Sequence, residues 1–424
     1  MKKLLIYFFL LSGLALYSQD TLKVMHYNLL MYGNNYYGCN STNNNIDDKN
    51  EYLKTIINYV KPDIFTVNEI SEILTYQQYI LNSVLNINGI NYYQMGSPPN
   101  YSGSYIINQI YYNSEKLTMC SNIAISTNYR DIDIFRLYYN SPDLKYTNDT
   151  IYLNCVIAHL KAGTSYEDEV ERANETNKLM NYLSNSNATG NYLMMGDFNV
   201  YTSAEQAFQN LILYQNQDIR FYDPINSLGA WNNNSYFASV HTQSTHISGG
   251  CPSGGGMDDR FDFILVSDEV LNGTEKIKYL NGSYKAIGQD GQHFNQSLVS
   301  SPQNTTVPGN VLDALYDMSD HLPVVMDIVV GNNVGGINNE SINFSLNYNN
   351  PVSEKLVLKI EAENNAEYKV QINSVWGQRI YSEIISLPGS KTFEIPFEHF
   401  KPGIYILLIS DKDQNQIVRK IMKI

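Results

Sequence analysis

The pattern of apolar positions predicts alternating strands and helices over residues 22–330. Helices are predicted at 48–60, where apolar residues recur on one face until Pro62, and at 167–183. The segment from Ser203 to Gln206 has the form of a capping box and predicts a third helix. The predicted strands are 22–30, 64–67, 106–112, 123–126, 134–139, 151–160, 192–195, 261–266 and 324–330. This alternation favours a sheet or a pair of sheets flanked by helices.

The pattern changes after a short polar linker at residues 331–340. The rest of the chain, residues 341–424, contains strand patterns and turn residues but no predicted helix. The predicted strands there are 355–362, 368–375, 379–385, 391–395, 403–410 and 416–424. Short strands at regular spacing predict a small all-β sandwich. We therefore expect an α/β domain at residues 20–330 followed by a small β domain.

Composition and charge narrow the classes of protein. The 424 residues are 43% hydrophobic and 12% aromatic, which is enough to bury two cores and excludes a disordered chain. The formal net charge is −14, and the last 88 residues hold ten basic and ten acidic side chains, so the acidic charge belongs to the first domain. An acidic body does not favour binding through a basic surface.

The first residues have the form of a secretory signal peptide. Lys2 and Lys3 precede an apolar run from Leu4 to Leu16, and the small residue Ser18 follows it. We therefore expect residues 1–19 to be removed on export. Beyond them, no apolar stretch reaches the roughly 20 residues that a membrane-spanning helix needs. The sequence thus predicts a secreted or surface-attached protein without a transmembrane segment.

Export permits disulfides, and the four cysteines allow three pairings. Cys39 and Cys251 lie in loop-like surroundings and are the favoured pair. Cys155 lies within an apolar strand pattern, where a buried free thiol is at least as reasonable as a bridge. A metal role for the cysteines is not indicated, because no CxxC or CxxH spacing occurs in the sequence.

Polar residues gather where the predicted strands of the first domain begin or end. The set is Asn28, Glu69, His159, Asp197, Asn199, Asp262, Asp320 and His321. Each residue alone could cap a turn or satisfy a local hydrogen bond. Together, beside the apolar strands of one domain, they predict a functional site.

The chemistry of this set suits a hard divalent cation and a phosphate ester. Its oxygen ligands are three carboxylates and two amides: Glu69, Asp197, Asp320, Asn28 and Asn199. Mg²⁺, Mn²⁺ and Ca²⁺ prefer such ligands. His159 and His321 can donate to a phosphate or carry protons near neutral pH, and Asp262 can fix a histidine tautomer. The residues therefore predict metal-assisted hydrolysis of a phosphate ester.

The order of these residues along the chain resembles the motifs of the endonuclease/exonuclease/phosphatase family, the DNase I-like metal-dependent phosphodiesterases. The matching motifs are Asn28, Asn68-Glu69, His159, Gly196-Asp197-Phe198-Asn199, Phe261-Asp262-Phe263 and Ser319-Asp320-His321-Leu322-Pro323. The resemblance spans about residues 22–330. It implies a four-layer α/β sandwich of two packed mixed sheets, with the site at one mouth.

The resemblance also implies roles for individual residues. The metal ligands would be Asn28, Glu69 and Asp320, holding Mg²⁺, or else Mn²⁺ or Ca²⁺. The catalytic residues would be His159, Asp197, Asn199, Asp262 and His321. Asp197 and Asn199 would position the attacking water and the scissile phosphate, while His321 with Asp262 would contact the phosphate or act as the base. Accounts of the family differ on the base, and some give that role to the aspartate of the GDFN motif. Tyr111 or Tyr112 would match a phosphate-contacting aromatic residue.

Two departures from the family pattern limit the substrate. Ser71 stands two residues after Glu69, where DNase I places an arginine for the DNA minor groove. The segment from Asp258 to Phe261 also lacks the tryptophan that abasic-site endonucleases carry there. We expect a monomeric secreted nuclease acting on DNA or RNA. The alternatives are a sphingomyelinase-like or other small phosphodiester or phosphomonoester hydrolase, and a non-catalytic exported binding protein.

The C-terminal domain has a resemblance of its own, to the type A sorting domain that Bacteroidetes use for type IX secretion. The matching segments, in order, are Asn350-Pro351-Val352, Trp376-Gly377, Lys401-Pro402-Gly403-Ile404-Tyr405 and Lys420-Ile421-Met422-Lys423-Ile424. The resemblance implies that this domain engages the type IX machinery and is cleaved after passage through the outer membrane. A binding sandwich is the alternative.

Overall fold

The computed structural model describes residues 20–142, 144, 150–331, 344–362, 366–374, 379–387, 390–410 and 416–424. The predicted signal peptide, residues 1–19, and the predicted linker after residue 331 lie outside these ranges. The chain separates into two compact units, Met1–Val334 and Gly335–Ile424. Within the described ranges, no helix has the length and apolar character needed to cross a membrane.

The first unit alternates strands and helices. In chain order its described strands are β1 (Asp20–Tyr32), β2 (Ile64–Ser71), β3 (Tyr93–Met95), β4 (Ile106–Asn113), β5 (Leu117–Ile125), β6 (Ile132–Tyr139), β7 (Tyr152–His159), β8 (Tyr192–Asp197), β9 (Phe221–Tyr222), β10 (Asp262–Ser267), β11 (Ile277–Tyr279), β12 (Lys285–Ala286) and β13 (Val324–Val330). Its described α-helices are α1 (Ile46–Val60), α2 (Leu74–Tyr79), α3 (Tyr166–Asn185), α4 (Gln206–Ile212), α5 (Asp268–Asn272) and α6 (Gly309–Met318). Every strand predicted from the sequence overlaps one of these.

The strands form two mixed sheets. The first has the order β11-β13-β1-β2-β4-β3, with β12 pairing β13, and the second has the order β5-β6-β7-β8-β10-β9. Strands β1 and β2 run parallel, as do β7 and β8, while β13 and β10 pair antiparallel with β1 and β8. The parallel pairs bring the carboxyl ends of neighbouring strands to the same edge of each sheet.

The buried residues define four layers. Leu22 and Val24 of β1 pack between the sheets against Leu193 and Met195 of β8, whereas the alternate residue Met25 packs against the helices α1 and α6. The outer face of the second sheet packs against α3 and α4. The order of layers is helix, sheet, sheet, helix, which confirms the four-layer α/β sandwich.

The helix ends follow from side-chain caps. Asn45 accepts from the backbone N–H groups of Asp47 and Asp48 at the start of α1, and Lys61 ends that helix in a left-handed conformation. Ser165 and Asp168 form a capping box on α3. The capping box predicted at Ser203 is wrong: α4 begins after Glu205 without a side-chain cap.

The cysteines are paired as favoured by the sequence. Cys39 and Cys251 form a disulfide across 212 positions of sequence. Cys155 is a buried free thiol within β7, and Cys120 is an exposed free thiol.

The second unit is all-β in its described residues. Its strands are β14 (Phe344–Tyr348), β15 (Lys355–Ala362), β16 (Ala366–Ser374), β17 (Arg379–Leu387), β18 (Ser390–Pro396), β19 (Gly403–Ser410) and β20 (Gln416–Lys423). They form sheets of order β14-β15-β18 and β17-β16-β19-β20 around a core of their own. The predicted small β-sandwich is confirmed, with β14 as an additional strand. The Trp376-Gly377 turn lies outside the described residues.

Candidate active site

The predicted polar residues meet because their strands end at one mouth of the sandwich. Asn28 of β1 lies opposite Asn68 of β2, one residue before Glu69. In the second sheet, Asp197 of β8 lies between His159 of β7 and Asp262 of β10. The sheet register therefore places carboxylates from both sheets beside one another.

The ends of β1 and β2 adopt left-handed backbone conformations at the site. Leu30, Met31 and Glu69 have φ angles of 46°, 52° and 57°, which are uncommon for such residues and are concentrated at functional sites. The Met31 backbone N–H donates to Glu69 Oε2 at 3.0 Å. The ammonium group of the buried Lys49 donates to the backbone oxygens of Leu29 and Leu30 at 2.7 and 2.6 Å. These bonds hold the turn that positions Asn28 and Glu69.

Among the residues that the structure describes, a group of three side chains could hold a metal ion. Glu69, His159 and Asp197 offer ligand atoms that all lie within 4.8 Å of one another. Burial lowers the pKa of His159 well below its usual value, so its ring is neutral, which is the form that binds metals. Two carboxylates and a neutral imidazole fit a divalent cation. Asn28 donates to both carboxylates, at 3.1 Å to Glu69 Oε1 and 2.9 Å to Asp197 Oδ2.

This grouping differs from the ligand set that the resemblance implies. Glu69 belongs to both sets, but Asp320 is not in the three-residue group, and its Oδ1 lies 4.0 Å from His321 Nε2. Asp320 Oδ2 accepts from the Ser253 backbone N–H at 2.8 Å, while its Oδ1 is buried without a hydrogen-bond partner in the described part of the chain. Asn28 acts as a hydrogen-bond donor through its amide nitrogen. Both residues lie at the site, beside the three-residue group.

A buried dyad lies next to the possible metal ligands. His321 Nδ1 is 2.7 Å from Asp262 Oδ2, and His321 Nε2 is 3.6 Å from Asp197 Oδ2. Burial lowers the pKa of His321, but the charges of Asp262 and Asp197 outweigh it and hold that pKa well above its usual value. Burial is also the main cause that raises the pKa of Asp197, to about 7. His321 can therefore donate a proton, and the neighbouring carboxylate of Asp197 can accept one near neutral pH.

The GDFN turn has a specific backbone requirement. A Cβ atom on Gly196 would lie 1.8 Å from the Ala158 backbone oxygen, so only glycine fits there. Asn199 adopts a φ of 51°, and its backbone N–H donates to Asp197 Oδ1 at 3.1 Å. Asn199 Nδ2 donates to the Leu160 backbone oxygen at 3.3 Å. The turn therefore fixes the orientation of Asp197.

A cleft of about 570 Å³ opens over these groups, and several of its lining residues have no counterpart in the sequence prediction. The additional polar lining residues include Arg130, Lys161, Gln243, Tyr37, Tyr105 and Tyr129. Arg130 donates to the backbone oxygens of His159 and Leu160 at 2.8 and 2.7 Å, which places its positive charge at the cleft. Gln243 lies 2.7 Å from His321 Nε2. These residues come from loops and strand margins without a motif, so no signal in the sequence marks them.

The structure does not bring Tyr111 and Tyr112 to the cleft. Tyr111 is fully buried against Phe65, and its hydroxyl donates to the Gln77 backbone oxygen at 2.9 Å. Tyr112 packs between the sheets and donates to Gln94. Both faces of β4 are buried, so consecutive tyrosines point into different core layers. The expectation that Tyr111 or Tyr112 contacts the phosphate is therefore wrong, because neither side chain reaches the cleft. Tyr105 is a tyrosine that does line it.

A buried carboxylate hydrogen-bonded to Lys161, which lines the cleft, predicts a pH dependence of stability. Glu175 accepts from the Lys161 backbone N–H at 2.9 Å, and burial raises its pKa to about 7. The folded state therefore favours the protonated form. The stability that this group contributes is complete below pH about 4.5 and is lost as the pH rises through about 7. For a shift of this size the loss is about 3 kcal/mol.

We expect Glu175→Gln to remove this part of the pH dependence, because glutamine keeps an oxygen acceptor for Lys161 without a charge. Urea unfolding at pH 5 and pH 8 measures it, with the exposed Glu167→Gln as the matched control. Equal pH slopes for Glu175→Gln and the unsubstituted chain would contradict the assignment.

A comparison with known protein families supports the prediction made for the C-terminal domain. Residues 347–424 match the family model described as "Secretion system C-terminal sorting domain". The sorting-domain prediction is confirmed, and the chain carries the signal for type IX export to the cell surface or the extracellular space. Among curated proteins, none matches the chain.

Three of the solved structures that are similar to this chain match about three quarters of its length. D. rerio TDP2 complexed with a single-strand DNA product is 14% identical, with 73% of this chain and 99% of that chain covered and a TM-score of 0.45. The human Nocturnin catalytic domain with bound sulfate anion is 14% identical, with 74% and 98% covered and a TM-score of 0.45. An endonuclease/exonuclease/phosphatase family protein from Bacteroides thetaiotaomicron is 15% identical, with 74% and 97% covered and a TM-score of 0.45.

Proposed function

We propose that this protein is an exported, divalent-metal-dependent phosphodiesterase that hydrolyses nucleic acid. The observation that supports the proposal most directly is the juxtaposition of two groups in one cleft. Glu69, His159 and Asp197 form a possible metal-binding set, and the His321–Asp262 dyad lies 3.6 Å from it. Metal-assisted phosphoester hydrolysis needs both a cation site and a proton-transfer or phosphate-binding group.

The residues of the chain divide the chemical tasks among them. Asp262 accepts from His321 Nδ1–H, and the charges of Asp262 and Asp197 favour the doubly protonated ring, so that Nε2–H can donate to a phosphate oxygen in the cleft. Asp197 orients the attacking water and takes up its proton as the new bond to phosphorus forms. Asn28 and Asn199 keep the carboxylates oriented. The water oxygen forms the new bond to phosphorus, and the ester oxygen leaves.

The metal set would supply a further contribution to the same reaction. Glu69, His159 and Asp197 would hold the ion, and a bound divalent cation would draw charge from the phosphate oxygens. Arg130 and Lys161 add positive charge on the cleft wall, where an anionic backbone would lie. Tyr37 and Tyr105 offer aromatic surface for unstacked bases. These features favour nucleic acid over a lipid headgroup as the substrate, despite the acidic body.

The experiment is hydrolysis by the full chain without its signal peptide. The substrates are plasmid DNA, RNA, sphingomyelin and bis-p-nitrophenyl phosphate, each assayed with Mg²⁺, Mn²⁺ or Ca²⁺ and with a chelator. We expect nicking of DNA or cleavage of RNA, loss of this activity with the chelator, and recovery when the cation is restored.

The other outcomes separate the alternatives. Cleavage of sphingomyelin or the small ester alone would retain the mechanism and reject nucleic acid as the substrate. Activity that persists in the chelator would reject metal dependence. If none of the four substrates is cleaved, the proposed function is wrong and a binding protein becomes the better explanation.

A further inference from the structure

The Cys39–Cys251 disulfide joins two loops at the edge of the cleft. Cys39 lies between β1 and α1, and Cys251 lies in the loop of residues 244–257 before β10. The two cysteines pack with Met31 and Ile106. Beside the disulfide the backbones touch, because a Cβ atom on Gly38 would lie 2.5 Å from the Gly250 oxygen. The two loops are therefore linked covalently and packed closely.

Loop 244–257 contacts the active site through its backbone. The Ser253 N–H donates to Asp320 Oδ2 at 2.8 Å, and both Cys251 and Ser253 line the cleft. Gln243, immediately before the loop, donates to the same oxygen at 3.3 Å and lies beside His321. The loop therefore helps to hold Asp320, which directly precedes His321.

The glycine content of loop 244–257 raises the entropic cost of holding this loop in one position. Five of the ten residues from Ser248 to Met257 are glycine. Glycine loses more conformational freedom on ordering than any other residue, so this segment has a strong entropic tendency to leave its position. The disulfide ties the loop to the segment that directly follows β1, and the end of β1 carries Met31, whose backbone N–H donates to Glu69.

We propose that the Cys39–Cys251 disulfide is a positioning element of the active site, and that the chain gains full hydrolytic activity only when these two thiols are oxidised. The hydrolysis readout of this inference rests on the proposed function. Oxidation removes two protons and two electrons from the two thiols. A disulfide of the thiol–disulfide oxidoreductase class accepts them by exchange and becomes a dithiol. Because reducing compartments keep such thiols reduced, the chain stays weakly active before export and becomes active after it.

The functional test compares the oxidised and reduced full chain on bis-p-nitrophenyl phosphate. We expect reduction by dithiothreitol to lower kcat about tenfold or more, since small displacements of catalytic groups have effects of this size. KM should change by less than about twofold, because the groups affected act in the transition state. Oxidised glutathione should restore kcat.

A second measurement reads the loop without using activity. Amide hydrogen exchange at Ser253 should become faster on reduction, because its N–H loses the bond to Asp320. Residues 192–197 of β8 are the internal reference, and their unchanged protection would show that the domain remains folded. Protection of Ser253 that is equal in the oxidised and reduced chains would overturn the proposal.

Variants complete the test. Cys39→Ser combined with Cys251→Ser should have the low kcat of the reduced chain and no response to reductant, whereas Cys120→Ser, at an exposed free thiol, should respond like the unsubstituted chain. A reduced chain that stays folded and keeps its kcat would overturn the proposal. If the oxidised chain hydrolyses none of the substrates, the proposed function fails, and exchange at Ser253 still decides whether the disulfide anchors the loop.

Discussion

Glu69→Gln is expected to lower hydrolysis by about 10³-fold and to abolish divalent-cation binding at the site, because it removes one carboxylate from the Glu69, His159 and Asp197 group. Glutamine keeps an oxygen that can accept from the Met31 backbone N–H, so the turn at the end of β1 should be retained. Thermal unfolding should therefore change little. Turnover of bis-p-nitrophenyl phosphate and titration with Mn²⁺ measure the two effects.

The matched control is Glu72→Gln, an exposed carboxylate three residues away. It should retain both turnover and cation binding. Near-normal turnover of Glu69→Gln would show that Glu69 is not in the catalytic machinery. Loss of turnover with cation binding intact would assign Glu69 a different role from metal ligand.

His321→Asn is expected to lower kcat by about 10²- to 10⁴-fold, the range typical of losing a proton-transfer group. Asparagine can still donate to Asp262 in place of Nδ1, but it cannot reach the position of Nε2. This choice matters because Asp262 is fully buried, and removing its partner altogether would leave an unpaired buried carboxylate. Alanine at this position is therefore expected to lower the free energy of unfolding by about 3 kcal/mol as well.

His399→Gln is the control for His321→Asn, since it replaces an exposed histidine of the second unit. It should leave turnover unchanged. Steady-state kinetics with thermal unfolding separate the two effects of His321 substitutions. If the asparagine and alanine variants both retain kcat, His321 is not part of the mechanism.

The sequence predicted which polar side chains the fold brings together at the candidate site, and the reason is geometric. Apolar periodicity locates the strands, and parallel neighbours such as β1 and β2 must end at the same edge. A polar residue at such an end, such as Asn28 or Asp197, is therefore marked by its position. The fold class could be predicted for the same reason.

Other parts of the site carry no such mark. Lys49 belongs to the polar positions of an amphipathic helix, and only the tertiary fold turns its ammonium group toward the carbonyls at the end of β1. Gln243 and Ser253 lie in irregular segments without periodicity. Tyr111 and Tyr112 fail as a prediction because β4 is buried on both faces, so alternation cannot separate core residues from cleft residues.

The position of β1 in its sheet has a consequence for the order in which the chain becomes complete. β1 is the first strand of the domain, yet it lies between β2 and β13, and Asp20 pairs with Val330 of the last strand. The first sheet cannot close until almost the whole domain has been synthesised, and such long-range pairing is slow. Asp320 and His321 directly precede that closing strand. A partly synthesised chain thus lacks both the dyad and the strand that completes the first domain, so under the proposed function hydrolytic capacity arrives together with β13.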